Sequence, residues 1–456
     1  MRNIVRKVAA FTIGCRLNQA DTALIFDRLE KEGFKVVENN YDGEIGILII
    51  NSCTVTSSAA QKSRSAVRKF RKKHPECCIV LTGCSAEVDT EMWQKELGVN
   101  LVVPNSEKQQ LVRYLDQYFA ERDDVADSLI ISVNEHIHTT SNHDNFAENA
   151  NTANYFKSRA FLKIQEGCNN FCSYCIVPYA RGRERSRELA ELEQDFRQLL
   201  KQGYKEIILT GVNVSSYFDK KTGKTLVDLV EYLANIEGDF RIRLSSTEPH
   251  KNNKNLLPMM AINPKVCKFL HLSLQHGSDR ILEQMNRHYS TAEYAEFVAE
   301  ARSLMPNIHI GTDVIVGFPG ETDKDFAESC KFIKKIGFAN IHIFTYSPRK
   351  GTPAATFKNQ VSKNLAKERY NLLNEIAKAS AKNYVQKQLG KMLRVLFEDY
   401  SETGIVSGWS DNYVRVKCQT TAENEITLEK ELYNVEIVNV ADDNTVNGVI
   451  AKNSNQ

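Results

Sequence analysis

No stretch of the 456-residue chain approaches the ~20 consecutive apolar residues that a membrane-spanning helix requires. An excess of one charge is missing too. Fifty-nine Lys+Arg stand against fifty-seven Asp+Glu, a net of +2, so a polyanion would have to be met by a local patch and not by the whole surface. Cysteine is sparse for a disulfide scaffold: eleven residues, an odd number, are spread through a long chain, with several in tight clusters. That pattern favours metal ligation in a reducing compartment. At the start, Arg2, Arg6 and Lys7 precede apolar residues, but Val8 to Ile13 is shorter than the ~7–15 apolar residues of an export signal, and the expectation is cytoplasmic. What is present is a globular composition, 42% hydrophobic and 25% charged, with length for about three domain cores.

From 1 to 120 short apolar runs alternate with amphipathic stretches, the pattern of an open α/β domain with a parallel sheet. The runs are Val5–Ile13, Ile45–Ile50, Ile79–Leu81 and Leu101–Val103, with helices expected over Leu17–Lys31, Ser58–Lys73 and Glu87–Leu97. Residues 121–155 are polar and read as a linker or exposed loop, and His136, His138 and His143 within it read as solvated side chains more readily than as metal ligands. From 156 to 385 strand-like runs recur at Phe161–Ile164, Glu206–Leu209, Phe240–Leu244, Phe269–Leu274, His309–Val316 and Asn340–Phe344, six βα units that predict an incomplete barrel. A long amphipathic stretch, Val361–Leu389, leads into a tail from 386 to 456. Its short alternating runs Met392–Phe397, Gly404–Ser407, Tyr413–Lys417 and Val435–Val440 predict a small β-barrel.

Cys168-Asn-Asn-Phe-Cys172-Ser-Tyr-Cys175 follows the first strand of the incomplete barrel, on the carboxyl rim where such barrels build their sites. Three thiolates on one loop hold three irons of a [4Fe–4S] cube and leave the fourth open; a zinc knuckle or redox thiols are the other readings, although no fourth Cys or His lies nearby. In the first domain Cys15, Cys53 and Cys84 each follow an apolar run. In a parallel sheet all three converge on one carboxyl edge, which suggests a second cluster; the bland reading is core cysteines, as Cys77, Cys78, Cys267, Cys330 and Cys418 are expected to be.

The CxxxCxxC spacing followed by parallel units resembles the radical S-adenosylmethionine (SAM) superfamily. Addition of the Cys15, Cys53, Cys84 domain and a terminal barrel makes nearly the whole chain similar to the methylthiotransferases. The resemblance implies a radical SAM domain, a terminal TRAM barrel, and two [4Fe–4S] clusters facing one substrate pocket. It also implies two SAM molecules: one methylates sulfur at the auxiliary cluster, and the other yields the 5′-deoxyadenosyl radical that takes hydrogen from the substrate. Segments matching the family's SAM contacts are Gly211 with Asn213 after the second strand, Ser246 and Glu248 after the third, Gln275 after the fourth, Asp313 and Val316 on the fifth, and Tyr346 after the sixth.

Among the family's substrates, Asn51-Ser-Cys53-Thr-Val-Thr56, Cys168-Asn-Asn-Phe-Cys172 and Ser347-Pro-Arg-Lys-Gly-Thr-Pro-Ala354 look like the branch acting on tRNA N6-threonylcarbamoyladenosine. That implies a tRNA anticodon stem-loop, an electron donor and a sulfur source as partners. Residues 62–73 hold Lys62, Arg64, Arg68, Lys69, Arg71, Lys72 and Lys73 with no acid, a helix face suited to phosphates or simply to solvent. Arg181, Arg183 and Arg187 either meet RNA or pair with Glu184 and Glu188. The tail departs from the pattern: from 386 onward seven basic residues face eleven acidic ones, a net of −4. That keeps open a basic ribosomal-protein substrate, with Arg394, Arg415 and Lys417 as a possible basic stripe; isopentenyladenosine of tRNA is the remaining family substrate.

Overall fold

The computed structural model describes residues 7–37, 45–95, 98–121, 158–249, 255–401, 404–420 and 430–451. The expected linker, with its three histidines, lies outside the described residues apart from its first position.

In the first domain the elements are β1 (Lys7–Thr12), α1 (Arg16–Lys31), β2 (Lys35–Val36), β3 (Ile47–Ser52), α2 (Ser57–Lys73), β4 (Cys78–Gly83), α3 (Cys84–Val88), α4 (Thr90–Lys95), β5 (Leu101–Val102) and α5 (Leu111–Glu121). The sheet is wholly parallel with order β2-β1-β3-β4-β5. Its central strands β3 and β4 are buried at every residue, which is why they read as unbroken apolar runs. The order reverses between β1 and β3, and doubly wound sheets build their ligand sites at the carboxyl side of such a switch point. The single helix expected over Glu87–Leu97 is two, α3 and α4, divided at Asp89. α2 is capped by the Thr56 hydroxyl, which accepts from Ala59 N–H, and it buries Ser63, Ala66, Val67 and Phe70 while Lys62, Lys69, Lys72 and Lys73 stay exposed.

The second domain runs β6 (Ala160–Lys163), β7 (Gln165–Glu166), α6 (Val177–Arg181), β8 (Arg185–Ser186), α7 (Leu189–Lys201), β9 (Glu206–Thr210), α8 (Leu226–Ala234), β10 (Arg241–Leu244), β11 (Ser246–Thr247), α9 (Leu256–Ile262), β12 (Phe269–Leu272), α10 (Asp279–Gln284), α11 (Thr291–Leu304), β13 (His309–Val316), α12 (Asp323–Ile336), β14 (Asn340–Thr345) and α13 (Lys363–Gln386). Its parallel strands form two runs, β10-β9-β6 and β11-β12-β13-β14, joined by an isolated Ile242–Val266 bridge, which gives an incomplete (β/α)6 barrel. Helices cover one face of these strands and bury Leu162, Ile207, Leu209, Ile242, Leu270, Leu272, Ile310, Val314 and Ile341. Because side chains alternate along a strand, His271, Asp313 and His342 face the helix-free interior, while His309 on the same side is buried against Phe269, Tyr413 and Tyr384 of α13.

The tail forms β15 (Met392–Tyr400), β16 (Ile405–Ser410), β17 (Arg415–Gln419), β18 (Leu432–Val440) and β19 (Val446–Ile450), closed as β15-β16-β17-β19-β18. Closure removes the edges an open sheet would expose. The last strand was not read from the sequence, because Val446-Asn-Gly-Val-Ile450 carries too little alternation to separate it from a turn. This barrel docks on the second domain through Arg241, which donates to the Arg394 and Trp409 carbonyls, and Arg243, which donates to those of Asp411 and Ser410. The supposed basic stripe is not one: Arg394 pairs with Asp239, Arg415 with Asp399 and Glu398, and Lys417 with Asp443. Part of the tail's acidic excess is taken up by the second domain, where Arg159 pairs with Glu398 and Lys205 with Glu431. Among the described residues no helix is long and apolar enough to cross a membrane.

Candidate active site

The first cysteine triplet sits along the carboxyl edge of the first sheet. Cys15 precedes α1, Cys53 follows β3, and Cys84 opens α3 directly after β4. Two of the three thus stand at helix N-termini, where the dipole favours negative charge. Gly14 makes their approach possible: its φ is +105°, and a Cβ there would lie 2.7 Å from Cys53 Cβ and 2.9 Å from Cys53 Sγ. Burial pushes the Cys53 thiol up to about 12, with the neighbouring Cys84 and Cys15 adding to the rise. Burial likewise raises Cys84, against the pull of Arg181. Cys53 and Cys84 are buried and Cys15 is exposed; neighbouring thiols that hinder one another's ionisation suit a shared cation, and an all-sulfur donor set fits iron–sulfur chemistry.

The second triplet lies on the loop between β7 and α6. Burial raises Cys168 to about 11 and Cys175 to about 12, and Cys172 charge reinforces both. The loop is pinned from below: Ser173 donates through its N–H to the Met285 carbonyl and through its hydroxyl to the Gln284 carbonyl, while Ala354 N–H donates to the Ser173 carbonyl. Around it the expected SAM positions partly converge. Glu248 accepts from Asn170 Nδ2 at 2.9 Å, Asn213 Nδ2 at 3.3 Å and Arg287 Nη2 at 2.7 Å, and Arg287 Nη1 reaches Cys172 Sγ at 3.2 Å. Arg287 went unread in the sequence, since nothing local links it to a loop over a hundred residues away. Gln275 takes φ +69°, a left-handed conformation rare for a residue with a side chain, and its backbone bonds to Asp313 and Ile315 hold it on the rim. Ser246 is half-buried on β11 opposite His271.

Four expectations change in detail. The space at Gly211 is occupied by Gln165, whose Oε1 accepts from the Val212 and Asn213 N–H groups and would meet a Cβ at 2.8 Å. Val316 turns its side chain into the helix-side core and offers the site only its backbone, whose carbonyl accepts from Tyr346 N–H. Tyr346 packs against Phe318 beneath the rim. Asp313 is engaged by protein, with His271 Nε2 at 3.0 Å and His342 Nδ1 at 3.5 Å, and its carboxyl is held well below the usual range by those imidazoles despite burial.

The basic residues divide sharply. Arg64 lines a cavity of about 270 Å³ with Thr54, Asp89, Arg349 and Lys350, and Lys62 and Lys69 line another of about 440 Å³ beside Gly14. Arg68 and Lys72 are exposed on α2, and Arg183 is exposed with its guanidinium over the Phe171 ring at 4.3 Å. Arg71 is instead an internal clamp that donates to the carbonyls of Pro75, Cys77 and Gly98. Arg187 is 1% exposed and paired with Asp195 at 2.8 Å, so the guanidiniums of both Arg71 and Arg187 are taken up by partners within the protein. Arg181 is buried as well; it bridges Glu166 and Asp21 and donates through Nε to Cys84 Sγ at 3.2 Å, which joins the two domains beside the first triplet. Its partners are not Glu184 and Glu188, because the chain folds it inward onto acids from α1 and β7.

Comparison with known proteins agrees with this layout. The radical SAM superfamily matches residues 162–333, and uncharacterized protein family UPF0004 matches residues 7–104. The chain is 37% identical over 413 residues to the threonylcarbamoyladenosine tRNA methylthiotransferase MtaB of Aquifex aeolicus, covering 90% of this chain and 96% of that one. It is 34% identical over 411 residues to a tRNA-2-methylthio-N(6)-dimethylallyladenosine synthase of Clostridium botulinum, with 88% of each covered. In fold it is similar to the radical SAM methyltransferase TsrM of Kitasatospora setae, at TM-score 0.56 and 14% identity over 77% of this chain and 75% of that one. With a UPF0004 domain and a radical SAM domain, whose superfamily implies SAM and a [4Fe–4S] cluster, ahead of a closed β-barrel, the chain belongs to the radical SAM methylthiotransferases.

Proposed function

We propose that this enzyme inserts a methylthio group at C2 of N6-threonylcarbamoyladenosine beside the anticodon of tRNA, with two [4Fe–4S] clusters and two SAM molecules. The observation that carries the proposal is the pair of cysteine triplets at adjoining domain edges, linked through Arg181 six residues after Cys175. Cys168, Cys172 and Cys175 hold one cube, and Cys15, Cys53 and Cys84 hold the other. Bound there, the cofactors supply a 5′-deoxyadenosyl radical that removes the C2 hydrogen and a methylated sulfur for the carbon to receive. Asn213, Glu248 and Gln275 orient SAM from three strand ends.

The wall of the barrel interior supports this substrate over an isopentenyl adenosine. His271, Asp313, His342 and Asn340 make it polar, with His342 Nε2 2.8 Å from Asn340 Nδ2, and such a wall suits a hydroxyl, amide and carboxylate better than a five-carbon apolar chain. RNA fits the exposed cations of α2 and the cleft of Arg64, Arg349 and Lys350 next to Cys53. A base leaving a single-stranded loop reaches such a site cheaply. The acidic tail, which argued for a basic protein substrate, has Glu398 paired with Arg159 and Glu431 with Lys205, both of the second domain. The test is mass spectrometry of tRNA nucleosides from cells with and without the gene. Loss of methylthio-threonylcarbamoyladenosine is expected, with about eight irons per chain in anaerobic protein; an unchanged nucleoside overturns the assignment.

A further inference from the structure

Each triplet has one buried guanidinium on one of its sulfurs, Arg287 on Cys172 and Arg181 on Cys84, both at 3.2 Å. Arg287 also holds Glu248 and the Tyr289 hydroxyl and so belongs to the SAM pocket already described. Arg181 stands apart from that pocket. Its Nη1 donates to Glu166 Oε1 at 2.7 Å, and its Nη2 donates to Asn18 Oδ1 at 2.5 Å and Asp21 Oδ2 at 3.0 Å. Those acids are themselves fixed: Lys108 reaches Asp21 at 2.9 Å and Glu166 at 3.1 Å, and Lys163 reaches Asp21 at 2.9 Å and Glu166 at 2.6 Å. Arg185 touches Glu166 from the half-exposed rim at 3.7 Å. Asn18, Asp21, Lys163, Glu166 and Arg181 are all under 5% exposed. A guanidinium held by carboxylates on two sides does not turn away, so its Nε–H stays aimed at the sulfur in a medium where charge is poorly screened.

We propose that Arg181 sets the reduction potential of the cube held by Cys15, Cys53 and Cys84. A hydrogen bond from a full positive charge draws electron density from a ligating thiolate and stabilises the cube with one electron added, which raises its potential. Joining a substrate carbon radical to a methylthiolate makes the carbon–sulfur bond and leaves one electron over. A raised potential beside that bond makes this cube the acceptor. The proposal rests on the two-cluster reading above, and its test separates the two.

The measurement is a potentiometric titration followed by electron paramagnetic resonance, on protein carrying Cys168→Ala, Cys172→Ala and Cys175→Ala so that only the first triplet loads. About four irons per chain are expected in that parent; no cube there overturns the two-cluster reading and this proposal together, an outcome distinct from an unshifted potential. In the same background, Arg181→Gln is expected to raise the oxidised-to-reduced ratio at fixed potential about tenfold, which is a midpoint about 59 mV lower for one electron. Arg181→Lys keeps the charge, loses the fork, and is expected to shift less in the same direction. A ratio within twofold of the parent in a fully loaded Gln variant overturns the proposal. So does failure of both variants to hold a cube, which would leave Arg181 a structural role.

Discussion

Replacement of Glu206 by Gln perturbs the joint that seats the terminal barrel. The Glu206 side chain is fully buried on β9, 2.6 Å from Arg241 and 2.8 Å from Arg243, whose own side chains are 1% and 0% exposed, with Arg159 at 3.9 Å. Those two arginines carry four hydrogen bonds into the carbonyls of the terminal barrel. Removing one charge leaves two cations buried without their counter-ion, a class of change that costs roughly 3–5 kcal/mol. For a domain of this size that converts to about 6–20 °C in Tm, at roughly 2–4 °C per kcal/mol. The consequence reaches the first triplet, because Arg16, next to Cys15, donates through Nη2 to the Tyr413 hydroxyl at 3.0 Å, and Tyr413 belongs to the docked barrel.

The pH dependence has a definite sign. Burial pushes the Glu206 carboxyl up, but Arg241 and Arg243 outweigh it and hold it well below its ordinary 4.5. The stability it contributes is full above that value and is lost as pH falls toward the lowered one. Calorimetry of the wild type and Glu206→Gln at pH 7 and across the acid limb, with limited proteolysis of the terminal barrel as a second readout, measures both. Adding Arg243→Gln to the Glu206 variant should cost less than the two changes summed, because the second removes a cation the first left stranded. A loss below 1 kcal/mol for Glu206→Gln would refute this account of the joint.

Cys172→Ala should abolish 5′-deoxyadenosine formation from SAM and reductant, whereas Cys53→Ala should retain it and lose methylthio product; product from the Cys53 variant would show the first triplet misread. Changing Lys62, Lys69 and Lys72 to Gln should weaken tRNA binding and flatten the plot of log affinity against log salt by about 0.7–0.9 for every phosphate no longer neutralised, while Arg71→Gln should leave that slope alone and lower Tm. Burial, aided by the nearby charges of Arg243 and then His271, keeps His309 near 3 against an ordinary 6.5. Between those values the unfolded chain takes a proton the folded one refuses, so stability falls with pH by a total of a few kcal/mol at roughly 1.4 per unit. Thermal scans from pH 7 to 4 should find this slope reduced in His309→Asn, and an equal slope would mean the ring titrates normally.

What could be read from the chain alone was whatever depends on neighbours in sequence. The CxxxCxxC loop, the three strands each followed by a cysteine, and the alternation of apolar runs with helices are local patterns. Strand direction in a parallel sheet then suffices to bring Cys15, Cys53 and Cys84 to one edge. The roles of individual side chains were not local. Among the ten basic residues set against RNA, the guanidiniums of Arg71 and Arg187 are taken up within the protein, and the fate of each was decided by partners set by the fold: carbonyls of the turn after α2 for one, an acid on α7 for the other. Arg181 reads in sequence as one of four arginines in a row of seven residues, yet Asp21, from a different domain, turns it onto a cysteine. Val316 offers its backbone and not its side chain to the site, because a strand's phase is set by which side the helices cover. Charge makes the same point in the terminal barrel, where a net of −4 along the sequence is taken up in part by pairs such as Arg159 with Glu398. Periodicity specifies elements because it is a property of one segment. Pairing of buried charges needs two segments brought together, and only the tertiary structure decides which.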